Sequence, residues 1–402
     1  MSNPGQGGGA VLAAAWEKYR ADLEATRDLV LNSPFIGRCP QIRARSYGYL
    51  GIQQAYANNL VLFPDGRFPR LVPQDPALTV FLSNPDFFYL QSFLDGRYRY
   101  RVHGALNDVE WLALQVQNNR FGNDSCTLGA LELDRGMVGA DGGFEITLSA
   151  EPPASGHWIR LDPASRRNYL FVRRALSDWT HGRLADLDIE AIDAIPRDPP
   201  ADPQADMAER LAYAGDMVRN STGFWVREFL EKEFERAGGV NRLSIFGGES
   251  LTDQAASGFA VYGWMFYECR PGEAVIVESD LPPCVYWGAH LGDTLQQTHD
   301  WMHHKTSINR TQAEIGADGR LRMVISHEDP GVRNWLDPMG LTFGVLLMRW
   351  YKARALPQAN VVRVPVAQVR EHLPAGTAAF TPAQRAAEVA ARAREIARLY
   401  WH

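Results

Sequence analysis

Two short stretches in the C-terminal half of the sequence concentrate side chains that can donate, accept or transfer protons. The first stretch, 297–305, holds three of the ten histidines of the chain around one aspartate. A histidine beside an aspartate suits proton transfer near neutral pH, because the free imidazole titrates there. We therefore predict that Asp300, His303 and His304 are catalytic residues.

The same histidines permit two other interpretations. On a helix, His299 and His303 would share a face, with the spacing of the two zinc ligands in one class of metallohydrolases. However, the segment follows a glycine and an aspartate, as loops do, and no distant third ligand is marked. A solvated loop with locally hydrogen-bonded histidines is the remaining interpretation. We predict neither a metal ligand nor an organic cofactor.

The second stretch, 327–340, places acidic and amide side chains, an arginine and a tryptophan between two predicted strands. Loops at the ends of β-sandwiches carry function more often than strands do. A structural turn is the alternative, because the Asp-Pro-Gly sequence favours a turn and its polar side chains can cap backbone amides. We predict that Asp329, Asn334, Trp335 and Asp337 bind a substrate.

Residues on or beside the predicted strands complete the candidate site. Tyr286 and His290 share one face of a strand, and Arg349 ends the apolar face of another. An arginine in that position usually pairs with a carboxylate, for which the aspartates of the two stretches are candidates. Either Arg310 or Arg349 would hold an anionic or carbonyl group, and Asn309 would orient it.

These side chains require a rigid framework, which the apolar periodicity of the sequence predicts to be mainly β-sheet. A hairpin signal at Asp95-Gly96 separates the first two predicted strands. Strands are predicted at 87–93, 98–103, 111–117, 143–149, 158–161, 169–174, 259–267, 274–278, 285–291, 311–315, 321–326 and 343–350.

Helices are predicted around this framework at 10–31 and 42–62, and as a helix or helix pair that ends at a double glycine. Capping boxes at Asp206 and Thr381 predict where two helices begin. Strands in blocks favour an α+β, mainly β fold, with an antiparallel β-sandwich or jelly-roll-like core and peripheral helices. A doubly wound sheet is the weaker alternative, because no dinucleotide-binding glycine motif follows a strand.

A chain of 402 residues suits two domains. We predict an N-terminal domain of helices and β-strands over 1–195 and a Pro/Asp-rich linker over 196–206. Residues 207–402 would hold the helix pair, a β-sandwich module at about 258–351, and the C-terminal helix.

The composition limits the partners of the chain. A net charge of -6 and a pI near 6.0 do not favour nucleic acid, and no basic block points to an anionic membrane. The four cysteines are few and far apart, which indicates free thiols in a reducing compartment. No signal peptide and no apolar stretch of membrane-spanning length is recognised. We therefore predict a cytoplasmic protein with a small-molecule substrate, and leave open whether it forms a homo-oligomer.

The C-terminal stretch from Glu273 to Tyr351, and above all its Asp-Pro-Gly-Val-Arg-Asn-Trp-Leu-Asp sequence at 329–337, resembles the bacterial domain of unknown function 1214 family. The segments 84–86, 98–104 and 143–149 are similar to the region that accompanies this domain in longer members. The resemblance implies a jelly-roll-like β-sandwich for the C-terminal half. It implies no settled activity and supplies no catalytic residue.

We predict from these patterns an enzyme of small-molecule metabolism, of the hydrolase or lyase type. It would perform acid-base assisted hydrolysis, elimination or isomerisation of an apolar or sugar-like substrate held among aromatic side chains. The alternative is a non-catalytic ligand-binding or assembly β-sandwich protein. Histidine, aspartate and arginine converging in a pocket would favour the enzyme, whereas mutually satisfied side chains closed to solvent would favour the alternative.

Overall fold

The computed structural model describes residues 4–74, 79–118, 126–247 and 260–401, with side chains from residue 9 onward. Nine strands precede the middle helices: β1 Val72–Pro73, β2 Phe87–Leu94, β3 Tyr100–Ala105, β4 Trp111–Gln117, β5 Thr127–Leu133, β6 Gly143–Ser149, β7 His157–Arg160, β8 Asn168–Ala175 and β9 Asp186–Ala191. Nine follow them: β10 Ser244–Gly247, β11 Ala260–Glu268, β12 Glu273–Ser279, β13 Tyr286–Gly292, β14 Ser307–Asn309, β15 Leu321–Ser326, β16 Trp335–Leu336, β17 Phe343–Tyr351 and β18 Ala359–Pro365.

These strands form four sheets, two from each half of the chain. Sheet A has the order β1-β2-β8-β4-β5, and sheet B has the order β7-β6-β3-β9. Sheet C has the order β10-β11-β17-β13-β14, and sheet D has the order β16-β15-β12-β18. Neighbouring strands run antiparallel except in the β6–β7 and β15–β16 pairs. The predicted antiparallel β-sandwich with peripheral helices is confirmed.

Each half of the chain buries a core between its own two sheets. Sheets A and B enclose one apolar core, to which Leu114 and Ile146 belong. Sheets C and D enclose a second, which includes Met323 and Leu346. Alternation of side chains along the strands sends every other residue into these cores. The residues between them point out of the sandwich, and in sheets A and C they are also apolar and aromatic.

A third core therefore forms where the outer faces of sheets A and C meet. Phe87 and Trp111 on sheet A pack with Tyr286 and Tyr351 on sheet C, and the ring centroids of Trp111 and Tyr351 lie 4.4 Å apart. Aromatic pairs at such distances add stability beyond the apolar area they bury. The two sandwiches are thus stacked, and their contact is part of the hydrophobic interior.

Helices pack around the two sandwiches, and Val30, Ile42 and Phe229 from three of them join the central core. The helices are α1 Pro4–Leu31, α2 Pro40–Ala57, α3 Pro203–Thr222, α4 Phe229–Ala237 and α5 Pro382–Trp401. Short 3-10 helices lie at Ile36–Arg38 and Val366–His372, and π-helical segments at Asn58–Leu62 and Gly223–Glu228. The second π-helical segment joins α3 to α4 and adds Trp225 to the central core. Such π segments often occur at functional sites.

One of the two predicted helix starts is confirmed and the other is wrong. At α5, the Thr381 hydroxyl accepts from the Gln384 amide at 3.2 Å, and the Gln384 side chain accepts from the Thr381 amide at 2.8 Å, which is a capping box. At α3, the N-cap is Asp202 instead of Asp206. Pro203 fits the first helical position, so the helix starts earlier, and Asp206 lies in its first turn.

Two further predictions of local structure are wrong. The Asp95-Gly96 turn does not join a hairpin, because β2 pairs with β1 and β8, whereas β3 pairs with β6 and β9. Residues 311–315 form turns and one isolated bridge instead of a strand. The predicted domain bounds stay a prediction. No helix within the described ranges is long and apolar enough to cross a membrane.

Candidate functional site

The predicted catalytic residues lie in a turn at the junction of the two sandwiches. Asp300 accepts hydrogen bonds from the Met302 and His303 amides at 2.9 and 3.0 Å, and its other oxygen lies 2.8 Å from His303 Nδ1. Burial raises the pKa of Asp300, but the hydrogen bonds from His303 outweigh it and lower the pKa. Asp300 is therefore a carboxylate that orients an exposed imidazole.

His304 belongs to a separate pair. Its Nδ1 lies 2.8 Å from Asp337 Oδ2, and the other Asp337 oxygen accepts from the Met339 amide at 2.7 Å. The structure thus joins the two predicted stretches through this contact, and it gives each of His303 and His304 its own carboxylate. The role of these residues stays a prediction.

The zinc-like arrangement of His299 and His303 is not formed, because residues 301–304 form a turn and not a helix. His299 is buried, and its Nε2 lies 3.4 Å from the Tyr267 hydroxyl. Burial lowers the pKa of His299 to about 3, so it is neutral. Within the described part of the chain, no cluster of three or more His, Cys, Asp or Glu side chains could hold a metal ion.

Tyr286 and Asn309 meet in a buried polar network that also contains two residues from the N-terminal half. The Tyr286 hydroxyl donates to Asp86 Oδ2 at 2.6 Å, and Asn84 Nδ2 donates to that hydroxyl at 2.9 Å. Asn309 Nδ2 donates to Asp86 Oδ1 at 2.7 Å. Burial raises the pKa of Asp86 to about 7, although the hydrogen bonds from Tyr286 and Asn309 oppose this. This network ties sheet C to the segment before β2.

Arg310, another predicted substrate-binding residue, lies at the edge of the same junction. Its guanidinium forms an ion pair with Glu110 at 3.0 Å, and it donates to the Val285 carbonyl at 2.5 Å. Both contacts satisfy the side chain within the protein, and one of them again crosses between the two halves of the chain.

Three of the residues predicted in the stretch 327–340 bind to neighbouring backbone and side chains. Asp329 accepts from Arg385 Nε at 2.9 Å and from the Gly331 amide. Asn334 donates to the carbonyls of Glu314 and Arg322 at 2.6 and 2.9 Å. Trp335 donates from its indole to the Ser326 carbonyl at 2.9 Å and packs into the outer core of sheet D. All three are anchored by structural contacts, and their predicted role remains untested.

His290 and Arg349 lie on the paired strands β13 and β17. His290 is fully buried. Burial lowers its pKa well below the usual value, and the nearby charge of Arg349 lowers it further. Contrary to expectation, Arg349 pairs with no carboxylate among the described residues. Arg349 Nη2 reaches only the Leu82 carbonyl at 3.4 Å, and its Nη1 has no hydrogen-bond partner among the described residues. Its strand faces sheet A instead of the loops that carry the aspartates.

Arg349 instead lines a cavity of about 110 Å³ between sheets A and C, which the sequence did not predict. A single water needs roughly 10–15 Å³ of such space, so a small organic molecule fits. Aromatic rings from both sandwiches and from the π-helical segment line it. They include Phe87, Tyr89 and Trp111 on sheet A, Tyr262 and Trp264 on sheet C, and Trp225.

Several side chains in the described part of the cavity wall are fixed by packing. Tyr89 stacks on Phe171 with ring centroids 5.1 Å apart, and Trp264 meets Phe229 of α4 edge to face at the same distance. The Tyr351 hydroxyl donates to Glu132 across the junction of the sandwiches. A rigid, mainly apolar recess with a few polar groups is the usual form of a small-molecule site.

A second arginine, Arg173 on β8, lines the cavity from sheet A. Sequence reasoning did not single it out, yet Tyr169, Phe171 and Arg173 share one face of β8 by their spacing. The sequence signal that could have identified Arg173 is an arginine that follows two aromatic residues on the outer face of a strand. The same signal, an apolar face that ends in arginine, did identify Arg349.

The fold and the cavity define a protein of two stacked β-sandwiches with an aromatic recess at their contact. Residues 274–355 match the family described as "Protein of unknown function (DUF1214)", which confirms the resemblance seen in the C-terminal sequence. The matched residues lie within the C-terminal sandwich. No curated protein matches the sequence.

Solved structures that are similar to the chain include the following two. An uncharacterised protein from Burkholderia cenocepacia is 25% identical with a TM-score of 0.81, and the match covers 90% of this chain and 99% of that chain. The VPA0106 protein from Vibrio parahaemolyticus is 15% identical with a TM-score of 0.43, covering 85% of this chain and 100% of that chain. The first likeness supports the stacked arrangement over most of the chain.

Proposed function

We propose that this protein binds a small, largely apolar organic molecule in the cavity between sheets A and C. The observation that carries this proposal is the aromatic lining contributed by both sandwiches. A wall of this kind excludes water and offers stacking surfaces to a planar or alkyl ligand. The non-catalytic alternative predicted from the sequence is therefore favoured, at a cavity that shares only Arg349 with the predicted site.

The proposal includes a cytoplasmic location. All four cysteines lie in the described part of the chain, and none of them forms a disulfide. Free thiols are typical of a reducing compartment. Burial raises the pKa of Cys269 to about 12, which makes that thiol unreactive.

Replacing Leu347 with tryptophan tests the binding site. Leu347 is buried and lines the cavity, so an indole at this position fills the space that the ligand needs. The neutral dye N-phenyl-1-naphthylamine, which brightens in apolar surroundings, should bind the wild-type protein saturably. We expect Leu347→Trp to weaken binding at least about tenfold, equivalent to about 1.4 kcal/mol. Fluorescence titration measures both constants.

Leu356→Trp is the matched control, because Leu356 is 58% exposed and does not line the cavity. It introduces the same chromophore and should leave dye affinity unchanged. Equal dye affinity in Leu347→Trp and the wild-type protein, or no saturable binding by the wild-type protein, would contradict the proposed function.

A second candidate function is the acid-base enzyme predicted from the sequence. The observation that favours it is the carboxylate held 2.8 Å from each of His303 and His304 by Asp300 and Asp337. Such a carboxylate orients an imidazole for proton transfer.

Combined alanine substitution of Asp300, His303 and His304 tests that candidate. If these residues transfer protons, the wild-type protein should deplete a metabolite from a cell extract, and the triple variant should do so about 10²–10⁴-fold more slowly. Mass spectrometry of the extract over time gives both rates. Equal rates, or no depletion by the wild-type protein, would reject the catalytic assignment.

A further inference from the structure

The two arginines of the cavity have fewer polar partners among the described residues than the buried Arg385 and Arg392. Arg173 is 9% exposed and Arg349 is partly buried, and neither has a carboxylate within ion-pair distance among the described residues. By contrast, the buried Arg385 forms ion pairs with Asp329 at 2.9 Å and with Glu388 at 2.5 Å. Arg392 forms no ion pair among the described residues either, but it donates to three acceptors. Buried charges in proteins are normally paired.

The contacts that the cavity arginines do make are weak. Arg173 Nη1 donates to the Gln115 side chain at 3.1 Å, and its guanidinium lies 4.5 Å from the centre of the Phe171 ring. The Arg349 guanidinium lies 5.7 Å from the rings of Phe87 and Tyr262. Five N–H donors per guanidinium leave capacity that these contacts do not use.

The pKa of Arg173 also indicates that the cavity arginines lack a close counterion in the described part of the chain. Burial lowers the pKa of Arg173, and the Arg349 charge lowers it further, while nearby tyrosines including Tyr89 oppose the shift. Glu132 is the carboxylate that acts on Arg173 from a longer range, and it already accepts from the Tyr351 hydroxyl. Two cations therefore face one recess without a dedicated counterion among the described residues.

Further hydrogen-bond donors at the wall are unused. The indole nitrogens of Trp111, Trp225 and Trp264 have no hydrogen-bond partner among the described residues, and Gln296 leaves both its amide nitrogen and its amide oxygen unpaired there. Leaving such donors unsatisfied in the interior costs about 1–3 kcal/mol each. The surplus of donors over acceptors favours a ligand rich in acceptor oxygens.

We propose that the ligand of this cavity is an organic anion, with an aromatic or alkyl body among the rings and an oxyanion near Arg173 and Arg349. This inference rests on the proposed function and names its ligand class. Guanidinium groups bind carboxylates and related oxyanions through paired N–H donors, which a neutral apolar molecule leaves unsatisfied. One arginine from each sandwich contributes, so the complete anion site exists only where the two halves meet.

A matched pair of dyes tests the ligand class. The dye 1-anilinonaphthalene-8-sulfonate carries the ring system of N-phenyl-1-naphthylamine and adds one sulfonate. We expect the wild-type protein to bind the sulfonated dye at least tenfold more tightly than the neutral dye. Arg173→Met and Arg349→Met should each remove most of that preference and leave neutral-dye affinity within about twofold, as fluorescence titration would show.

Arg174→Met is the matched control. Arg174 is the next residue on β8, donates to the Phe88 and Ala185 carbonyls, and does not line the cavity. It should keep the full preference for the sulfonated dye. Every variant should still bind the neutral dye, and the two cavity variants should keep or raise the melting temperature. These results would show that a lost preference for the sulfonated dye does not come from misfolding.

The outcomes separate the two proposals. If neither dye binds saturably, the proposed function is wrong and this inference falls with it. If the neutral dye binds as well as the sulfonated dye, or if both arginine variants keep the preference, the anion inference is wrong and the binding function stands. Loss of the preference in Arg174→Met to the same degree would also overturn the assignment to the cavity arginines.

Discussion

Replacing Glu388 with alanine should lower the free energy of unfolding by about 3–5 kcal/mol, the effect of removing one partner from a buried ion pair. The Lys305 side chain is 0% exposed, and its ammonium lies 2.5 Å from Glu388 Oε1. Glu388 also forms an ion pair with Arg385. Without the carboxylate, the lysine is left buried with no counterion among the described residues, and burial already lowers its pKa to about 7. Urea unfolding at constant pH measures the loss.

The double variant Lys305→Met/Glu388→Leu should recover most of that stability, because apolar residues of similar volume often replace a buried ion pair without loss. Glu395→Ala is the matched control on α5, where the carboxylate accepts from the Thr180 hydroxyl at 3.0 Å near the surface. We expect it to cost less than about 1 kcal/mol. A Glu388→Ala protein as stable as the Glu395→Ala protein would contradict this account of the helix contact.

The second large effect is a pH dependence that originates at Asp86. In the unfolded chain this carboxyl ionises near its ordinary pKa of 3.8, whereas in the folded protein burial raises its pKa to about 7. The folded state therefore holds a proton that the unfolded state has released, so this group makes stability fall as pH rises from about 4 to about 7. The maximal loss is about 4 kcal/mol. Tyr286, Asn309, Glu110 and Arg392 are the groups that act on it.

Asp86→Asn should abolish that part of the pH dependence, because an amide does not ionise. The Tyr286 hydroxyl lies 3.2 Å from Asn84 Oδ1 and can donate there, which frees its oxygen to accept from the new amide. Unfolding in urea between pH 4 and pH 8 should show a smaller decline than in the wild-type protein. Asp293→Asn should remove a fall in the free energy of unfolding that ends near pH 6, because burial raises the pKa of Asp293 to about 6. An Asp86→Asn protein with the wild-type slope would be inconsistent with the buried acid.

The sequence predicted the central strands closely and the edge strands poorly. β4 and β6 were predicted with the bounds that the structure shows, because β4 is buried and densely apolar and β6 alternates apolar with other residues. β5 and β18 lie at sheet edges and are mixed in burial, so their sequences lack a clear period. The turn at Asp95-Gly96 was recognisable as a turn, but no local signal states which strands pair across it.

Some contacts of the candidate site could be predicted from the sequence, and others could not. Local contacts, such as that between Asp300 and His303, follow from short spacing and could be anticipated. The cavity could not be, because its wall combines the outer faces of two sheets whose strands are far apart in sequence. Each aromatic residue, taken singly, is typical of a hydrophobic core. Only the pairing of sheets A and C brings Arg173 and Arg349 to one space.

Helix α5 joins the core of the N-terminal sandwich, where Ile396 is fully buried and the Tyr400 ring lies 4.9 Å from Phe88. The ribosome makes this helix some two hundred residues after the last strand of that sandwich, since β9 ends at Ala191. Part of the apolar core of the N-terminal sandwich therefore stays exposed to solvent until the C-terminal sandwich and α5 have been synthesised. The final packing of that core is a late step of biosynthesis.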